Sequence, residues 1–315
     1  MRSVSATYSC QTALLLFCAL TSPASAQDMS KYYTVMHPEE FEIDWAGFYR
    51  EAEKRTADVR DRFPHHLNLA YGDDRKQQLD LYLPKTSTNN APVFLFLHGG
   101  GFREGDRAQY GFVAEPFAHR GIITAVASYR LTTDGYHYPA QPEDTRSAIT
   151  WLHKHIAEYG GNAEAVYVGG HSAGAILAAD VGVDRSWMEE RGIPSEALRG
   201  IVPISGPYDL RTKGRPGEGD AYAPSEELEL QASPVLHVKN PAPASLVAVG
   251  STEKRFLDSS EEFVAEMTAK GAIARLLVLD GQDHKDTVVS LADPDSPLFQ
   301  MTLELINASQ ESARD

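Results

Sequence analysis

The chain contains a five-residue stretch, Gly170-His171-Ser172-Ala173-Gly174, whose serine is a candidate nucleophile. A serine hydroxyl is a weak nucleophile at neutral pH, so it needs a neighbouring base and a third group that orients the base. The β-rich run Val166-Tyr167-Val168 precedes the stretch, and a helix-forming run over residues 173–183 follows it. A strand, a sharp turn and a helix make a nucleophile elbow, in which flanking glycines let two backbones approach closely. We therefore predict that Ser172 attacks a carbonyl carbon.

The base and the orienting acid are expected downstream of this serine. His284 follows a β-rich run ending at Leu279, which predicts a loop position at the carboxyl edge of a sheet. Glu253 directly follows an earlier apolar run, and Asp258 comes one helical turn later. Glu253 is the preferred acid because a loop residue can lean toward His284, whereas Asp258 is expected within a helix. Asp258 and Asp283 remain alternatives.

Reaction at a carbonyl also requires donors for the negative charge that develops on its oxygen. An apolar strand runs into His98-Gly99-Gly100-Gly101-Phe102, and consecutive glycines let backbone amides approach a ligand. We predict an oxyanion hole formed by the N–H groups of Gly100, Gly101 and Ala173. A phosphate site is not favoured, because the loop lacks both the Gly-Lys-Ser/Thr ending of a P-loop and the glycine spacing of a dinucleotide fold.

Three aromatic residues are candidate walls of a substrate pocket. Phe102 adjoins the glycine loop, Tyr208 follows a strand, and Trp187 follows the helix after Ser172. The sequence has no long apolar lid, so short-chain or aromatic acyl esters are expected in preference to long triglycerides. A metal site is not expected at the histidine pairs, because they lack the spacing and companion carboxylate of a zinc helix.

A sheet is needed to bring these residues together. Predicted strands alternate with helices, which favours an α/β fold with a mostly parallel eight-stranded sheet and helices on both faces. The strands are predicted at 67–70, 78–83, 92–97, 122–128, 165–169, 200–205, 244–249 and 274–279. The helices are predicted at 109–120, 142–159, 173–183, 257–270 and 297–307.

An amphipathic helix is predicted at 44–63, within a helical lead-in that covers about 39–63. It is expected either to cross the mouth of the site or to pack against the body of the protein. The stretch 210–240 is rich in Gly, Pro and charge, and it is the expected excursion near the carboxyl edge of the sheet, where open α/β sheets bind ligands. No repeat, linker or composition break divides 27–315, which predicts a single domain.

The first 26 residues differ in composition from the rest. Arg2 is followed by an apolar run and by Ala24-Ser25-Ala26, which together predict a secretory signal peptide cleaved before Gln27. No membrane span is expected, because the run falls far short of the roughly 20 residues that a spanning helix needs. Both cysteines, Cys10 and Cys18, lie in this segment, so disulfides and thiolate chemistry are excluded from the mature chain. A secreted or periplasmic location is expected.

The charge of the chain limits its partners. It carries 44 acidic and 29 Lys and Arg residues, with a formal net charge of −15 and no basic run. These features argue against nucleic acid and anionic membranes as partners. A small-molecule ester is the expected partner, and the sequence leaves the oligomeric state open.

From about Gln78 onward the chain resembles the hormone-sensitive-lipase-like branch of the α/β-hydrolase superfamily. The motifs that carry the resemblance are His98-Gly99-Gly100-Gly101, Ser128-Tyr129-Arg130-Leu131, Pro142-Glu143-Asp144, Gly170-His171-Ser172-Ala173-Gly174, Ser205-Gly206-x-Tyr208-Asp209-Leu210 and Asp283-His284. Within that branch, the Tyr208-Asp209-Leu210 stretch and the spacing from Gly250-Ser251-Thr252-Glu253 to Asp283-His284 resemble the arylformamidase and bacterial carboxylesterase group.

The resemblance implies an α/β-hydrolase fold and a hydrolase of esters or aryl formamides that needs no metal or cofactor. It implies a covalent acyl-enzyme on Ser172, with His284 as general base and then acid and Glu253 as the orienting carboxylate. Family members more commonly have Asp where Glu253 stands, and formamidases usually have a bulkier residue where Gly101 stands. Because export also fits cytosolic tryptophan breakdown poorly, a carboxylesterase is preferred and an arylformamidase is the alternative. The alternative of another class is an inactive binding protein on a hydrolase fold.

Overall fold

The computed structural model describes residues 43–86, 89–211 and 221–311. The predicted signal peptide, the first part of the predicted lead-in (39–42) and residues 212–220 of the predicted excursion lie outside the described residues.

Eight strands form one sheet. They are β1 (His65–Ala70), β2 (Gln78–Tyr82), β3 (Ala91–Leu97), β4 (Ile123–Ala127), β5 (Gly161–His171), β6 (Leu198–Ile204), β7 (Ala244–Gly250) and β8 (Ala274–Leu279). Their order across the sheet is β1-β2-β4-β3-β5-β6-β7-β8. β2 pairs antiparallel with both β1 and β4, and every other pair is parallel. The prediction of a mostly parallel eight-stranded sheet is therefore confirmed.

The helices of the described residues are α1 (Trp45–Arg62), α2 (Arg107–Tyr110), α3 (Ala114–Ala118), α4 (Ala140–His155), α5 (Ala173–Val183), α6 (Ser186–Glu190), α7 (Glu226–Gln231), α8 (Lys254–Ala269), α9 (His284–Leu291) and α10 (Pro297–Glu311). Each long helix that the sequence predicts is present except the one at 109–120, while α6, α7 and α9 were not predicted. None of the helices in the described ranges is long and apolar enough to cross a membrane.

Both faces of the sheet are covered, as the unbroken apolar runs of its central strands require. Along β3, Val93, Leu95 and Leu97 belong to one buried cluster, which they share with residues of α4, α5 and α8. Phe94 and Phe96 point the other way, into a second cluster shared with residues of α1, α9 and α10. The period of two along a strand thus produces two cores around one sheet.

The helix predicted at 109–120 is broken into α2, a 3-10 turn at Gly111–Val113, and α3. Here the chain packs closely against β2 as well as α1, and a Cβ on Gly111 would lie 2.1 Å from the hydroxyl oxygen of Tyr82. A Cβ on Gly111 would lie 2.7 Å from Cγ2 of Thr56, and the N–H of Phe112 donates to Thr56 Oγ1 at 3.0 Å. That N–H is therefore directed to a neighbouring helix, a contact that local sequence periodicity does not encode.

The lead-in helix α1 begins after Asp44, whose side chain caps it by accepting from the N–H of Gly47 at 2.8 Å. Phe48, Ala52 and Val59 are buried against the second core. The predicted amphipathic helix is thus confirmed within one residue at each end, and it packs against the body of the protein.

Candidate active site

Ser172 lies in the turn between β5 and α5, with φ 56° and ψ −116°. A non-glycine residue rarely adopts such angles, and they persist only where the surroundings enforce them. Here a Cβ on Gly174 would lie 2.1 Å from the carbonyl oxygen of Leu97, and a Cβ on Gly170 would lie 2.2 Å from the carbonyl oxygen of Gly174. Only glycine fits at either position, so the sequence forms the strand, sharp turn and helix that the pattern predicts.

Glu253 and His284 are in direct contact. Glu253 Oε1 lies 2.5 Å from Nδ1 of His284, and both side chains are buried. The other carboxylate oxygen, Oε2, accepts from the hydroxyl of Ser205 and from the N–H of Gly250, both at 2.7 Å. Because these two donors fix the carboxylate, it can orient one imidazole tautomer, with the proton on Nδ1 and the lone pair on Nε2.

The other acid candidates are placed differently. Asp258 is exposed on α8, one turn beyond Glu253. Asp283 Oδ1 accepts from the N–H groups of Lys285 and Asp286, at 2.9 and 2.8 Å, and so caps α9. The structure therefore brings Glu253, and neither aspartate, to the imidazole.

His284 was predicted in a loop, and this is wrong: it is the first residue of α9. The reason is the capping box formed by Asp283 and Asp286, which starts a helix at this point. The ring of Phe256 stacks on that of His284, with centroids 4.9 Å apart and planes at 16°. His284 therefore has a fixed backbone as well as a packed ring.

The elbow and the base are joined through His171. Its Nε2 lies 2.7 Å from the carbonyl oxygen of His284, and the two ring centroids are 4.5 Å apart. Since His171 immediately precedes Ser172 in the chain, this contact places the backbone of His284 against the elbow. Ser172, Glu253 and His284 thus follow three different parallel strands, β5, β7 and β8, at the same edge of the sheet.

The glycine loop after β3 reaches the same edge. Gly100 and Gly101 have φ of 112° and 58°, and a Cβ on Gly99 would lie 3.2 Å from Cβ of Ser172. Ala173 is the first residue of α5, so its N–H is among those that have no acceptor within the helix. The three predicted oxyanion donors therefore lie on two segments that meet at Ser172.

The chain is similar to known proteins over most of its length. The BD-FAE family model matches residues 79–263. The chain belongs to the BD-FAE family. The match includes β3 with its glycine loop, the elbow and Glu253, and it ends before His284.

Two curated proteins are similar in sequence to this chain. The Arabidopsis thaliana protein named "Probable isoprenylcysteine alpha-carbonyl methylesterase ICMEL1" is 30% identical over 250 residues, which cover 72% of this chain and 52% of that protein. The kynurenine formamidase of Salmo salar is 27% identical over 250 residues, covering 77% of this chain and 82% of the relative. The BD-FAE chain thus spans about half the length of the plant protein and most of the fish protein.

Esterase B of Lactobacillus rhamnosis, solved with a tributyrin phosphonate inhibitor, has a similar fold. Its TM-score is 0.70 at 19% identity, and the alignment covers 86% of this chain and 94% of that one. Together these matches confirm the predicted α/β-hydrolase fold with its resemblance to esterases and arylformamidases. They place this BD-FAE family member among the hydrolases of the ester-hydrolysing α/β-hydrolase family.

Of the predicted pocket walls, Phe102 adjoins the glycine loop. It follows Gly101 directly and stacks on Tyr222, with ring centroids 3.7 Å apart and planes at 10°. Trp187 follows the far end of α5, which rises about 1.5 Å per residue from Ser172, and its Nε1 donates to the carbonyl of Val181. The intervening helix carries Trp187 away from the nucleophile, which gives no support to its predicted role as a pocket wall.

Tyr208 follows β6 as predicted. Its side chain is fully buried and stacks on Phe263 of α8, with centroids 4.5 Å apart. Its role as a pocket wall stays a prediction.

Sequence reasoning missed several residues at the site. Trp45 of α1 sets its ring at 77° to that of His284, with centroids 5.9 Å apart. Tyr49, one turn later, donates to Oε1 of Glu104 on the glycine loop at 3.1 Å. The amphipathic lead-in was the only available signal. The helix packs on the body, which is one of the two uses predicted for it, and it also contacts His284 and Glu104.

Burial sets the charge of the histidines around the site. It lowers the pKa of His98 to about 4, and it lowers the pKa of His171 well below the ordinary range, with further lowering by the nearby His284. Both are therefore neutral at ordinary pH. His98 donates through Nδ1 to the carbonyl of Gly99 at 2.7 Å and stacks on Tyr129, which steadies the glycine loop.

The glycine loop also carries a carboxyl. Burial raises the pKa of Glu104, while the hydrogen bond from Tyr49 acts in the opposite direction.

Across the described ranges, no three His, Cys, Asp or Glu side chains form a cluster that would hold a metal ion.

Proposed function

We propose that the protein is a serine carboxylesterase that hydrolyses short-chain or aromatic acyl esters through a covalent acyl-enzyme. The observation that carries the proposal is the buried contact of 2.5 Å between Glu253 Oε1 and His284 Nδ1. It leaves Nε2 of His284 to accept a proton next to a serine in a nucleophile elbow.

In the first half-reaction, Oγ of Ser172 attacks the ester carbonyl carbon while Nε2 of His284 takes the hydroxyl proton. The carbonyl electron pair moves onto its oxygen, which accepts hydrogen bonds from the N–H groups of Gly100, Gly101 and Ala173. Return of that pair expels the alcohol oxygen, which takes the proton from His284. The alcohol leaves, and the acyl group remains on Ser172.

In the second half-reaction, water attacks the acyl carbon and gives a proton to His284. Collapse of the second tetrahedral intermediate breaks the bond to Ser172 Oγ, which recovers the proton from His284. The carboxylic acid leaves. Glu253 stabilises the imidazolium that forms in each half without taking its proton.

The acyl preference is supported by the pair Phe102 and Tyr222. Phe102 directly follows Gly101, and its ring stacks on that of Tyr222 with centroids 3.7 Å apart. An aromatic side chain next to a predicted oxyanion donor favours short or aromatic acyl groups.

Arylformamidase activity is a second candidate. It is favoured by the kynurenine formamidase of Salmo salar, which aligns over 82% of its length. The same residues would cleave a formamide C–N bond, with His284 protonating the leaving amine. Relative kcat/KM for N-formylkynurenine and for short acyl esters separates the two activities.

The test is a panel assay of the purified full chain on p-nitrophenyl acetate, butyrate and laurate, a feruloyl ester and N-formylkynurenine. Ser172→Ala should abolish turnover and labelling by a fluorophosphonate probe. Ser186→Ala is the matched control, because this exposed serine begins α6 beyond the far end of α5. Equal turnover by wild type and Ser172→Ala would refute the proposal and favour a binding role.

We also propose that residues 1–26 direct export to the periplasm or the medium and are removed there. The apolar run and the Ala24-Ser25-Ala26 site support this. N-terminal sequencing of the protein recovered from the producing cells should begin at Gln27, and an intact N-terminus in the cytosol would contradict export.

A further inference from the structure

His171 is buried at the point where three segments of the site meet. It is 2% exposed and lies between Gly170 and Ser172 in the elbow. A Cβ on Gly99, in the glycine loop, would lie 2.9 Å from its Nδ1. Its Nε2 contacts the backbone of His284 at 2.7 Å. One side chain therefore adjoins the nucleophile, the oxyanion loop and the base.

The chemistry of these contacts fixes the tautomer of His171. A carbonyl oxygen only accepts, so Nε2 must carry the proton that is donated to His284. Nδ1 is then a bare acceptor, and it has no hydrogen-bond partner within the part of the chain that the structure describes. Burial, which lowers the pKa of His171 well below its usual range, keeps this ring neutral.

We propose that His171 is a positioning residue, which holds the backbone of His284 against the elbow and so sets the distance over which the proton passes between Ser172 and His284. The inference rests on the proposed function. It goes beyond the triad, because His171 touches neither the substrate nor the transferred proton.

His171 contacts His284 from the elbow, whereas Glu253, Phe256 and Trp45 contact it from other parts of the fold. Glu253 holds only the Nδ1 side of His284, and Phe256 holds one face of its ring. Neither contact ties His284 to β5, which carries Ser172. The carbonyl of His284 accepts from Thr287 Oγ1 within its own helix and from His171, and of these two donors only His171 belongs to the elbow.

The experiment compares two substitutions of similar length. His171→Gln keeps a side-chain N–H donor, whereas His171→Met keeps apolar volume and removes the donor. Active sites are first counted by fluorophosphonate labelling, and kcat and KM are then measured per labelled site on p-nitrophenyl butyrate. The downfield proton signal of the Glu253–His284 hydrogen bond is recorded by one-dimensional NMR, and the Tm of each protein is measured.

His171→Met should lower kcat per labelled site about tenfold with KM nearly unchanged, since one hydrogen bond is worth roughly that factor. The NMR signal should shift or broaden. His171→Gln should recover most of kcat and the signal. Two outcomes would overturn the proposal: unchanged kcat per labelled site in His171→Met, or equal losses in both variants that follow Tm alone. Absent labelling and turnover in wild type would instead remove the proposed function on which the inference rests.

Discussion

Trp45 and His284 are separated by most of the chain, yet their rings meet edge to face, with centroids 5.9 Å apart. Trp45 begins α1, which precedes every strand of the sheet. One side of His284, the candidate base, is thus in contact with a helix that precedes the whole sheet in the chain. Tyr49, on the same helix, bonds to Glu104 of the glycine loop, so α1 contacts both halves of the site.

Replacing Trp45 with Ala should lower kcat/KM for short esters by roughly 2- to 10-fold, the range expected for loss of one aromatic pair. The imidazole loses a wall and gains access to water. Steady-state kinetics on p-nitrophenyl butyrate measure the effect. Trp151→Ala is the matched control, because Trp151 of α4 packs on His155 and Tyr159 instead. Equal losses in both variants would contradict a local role for Trp45.

Glu253→Ala should lower kcat by about 10³- to 10⁴-fold, because the imidazole loses the group that selects its tautomer. Asp258→Ala should leave kcat nearly unchanged, since its side chain is exposed. Kinetics with active-site titration distinguish the two. A severe loss in Asp258→Ala with a mild one in Glu253→Ala would exchange their roles.

Gly101→Ala and Gly192→Ala form a matched pair, because both glycines have positive φ (58° and 69°) and open space where a Cβ would stand. Each should lose about 1 to 2 kcal/mol of unfolding free energy from the left-handed conformation. Only Gly101→Ala should reduce kcat, since Gly101 carries a predicted oxyanion donor. Urea unfolding and ester kinetics test the pair, and unchanged kcat in Gly101→Ala would remove that residue from the oxyanion hole.

His98 should make stability fall in mild acid. Its pKa in the folded protein is about 4, below the ordinary value near 6.5, so between these values the unfolded chain binds a proton that the folded chain does not. At pH 8 His98 is neutral in both the folded and the unfolded protein. Its contribution to the free energy of unfolding should be about 2 kcal/mol lower at pH 5 than at pH 8.

Urea unfolding of wild type and His98→Gln at both pH values isolates this contribution. His171, whose pKa burial also lowers, acts in the same direction in both proteins and cancels from the comparison. A pH dependence of unfolding that is the same in the two proteins would show that His98 is not the source.

The sheet was predictable because each strand carries its own signal of apolar runs and turn residues. The motif spacing likewise led to Ser172, Glu253 and His284 as candidates, and these follow parallel strands whose carboxyl ends lie at one edge of the sheet. Asp283 shows a limit of prediction from sequence. Its capping box starts the helix that contains His284, whereas the sequence predicted a loop there. Whether a side chain caps a helix depends on which backbone amides donate to it, and the order of residues alone does not determine this.

Contacts between segments that lie far apart in the chain were the second limit of prediction from sequence. Trp45 and His284 lie far apart in the chain, and α1 reads only as amphipathic. His171 stood inside a recognised motif, but nothing in the order of residues states that its ring faces the carbonyl of His284. Trp187 shows the converse limit, because a residue that is close to Ser172 in the chain is separated from it in space when a helix intervenes.

The helix that follows the nucleophile has almost no surface of its own. Every residue of α5 is buried except Asp180, which bonds to Arg146 of α4 at 2.8 Å. Outside its surroundings such a segment would expose apolar side chains on all sides, so it acquires its shape only when β3, β5, β6 and α4 enclose it. The unusual angles of Ser172 depend on the same enclosure. A partly folded chain therefore lacks the elbow conformation of Ser172, and any esterase activity is expected during refolding only once the sheet that encloses α5 is complete.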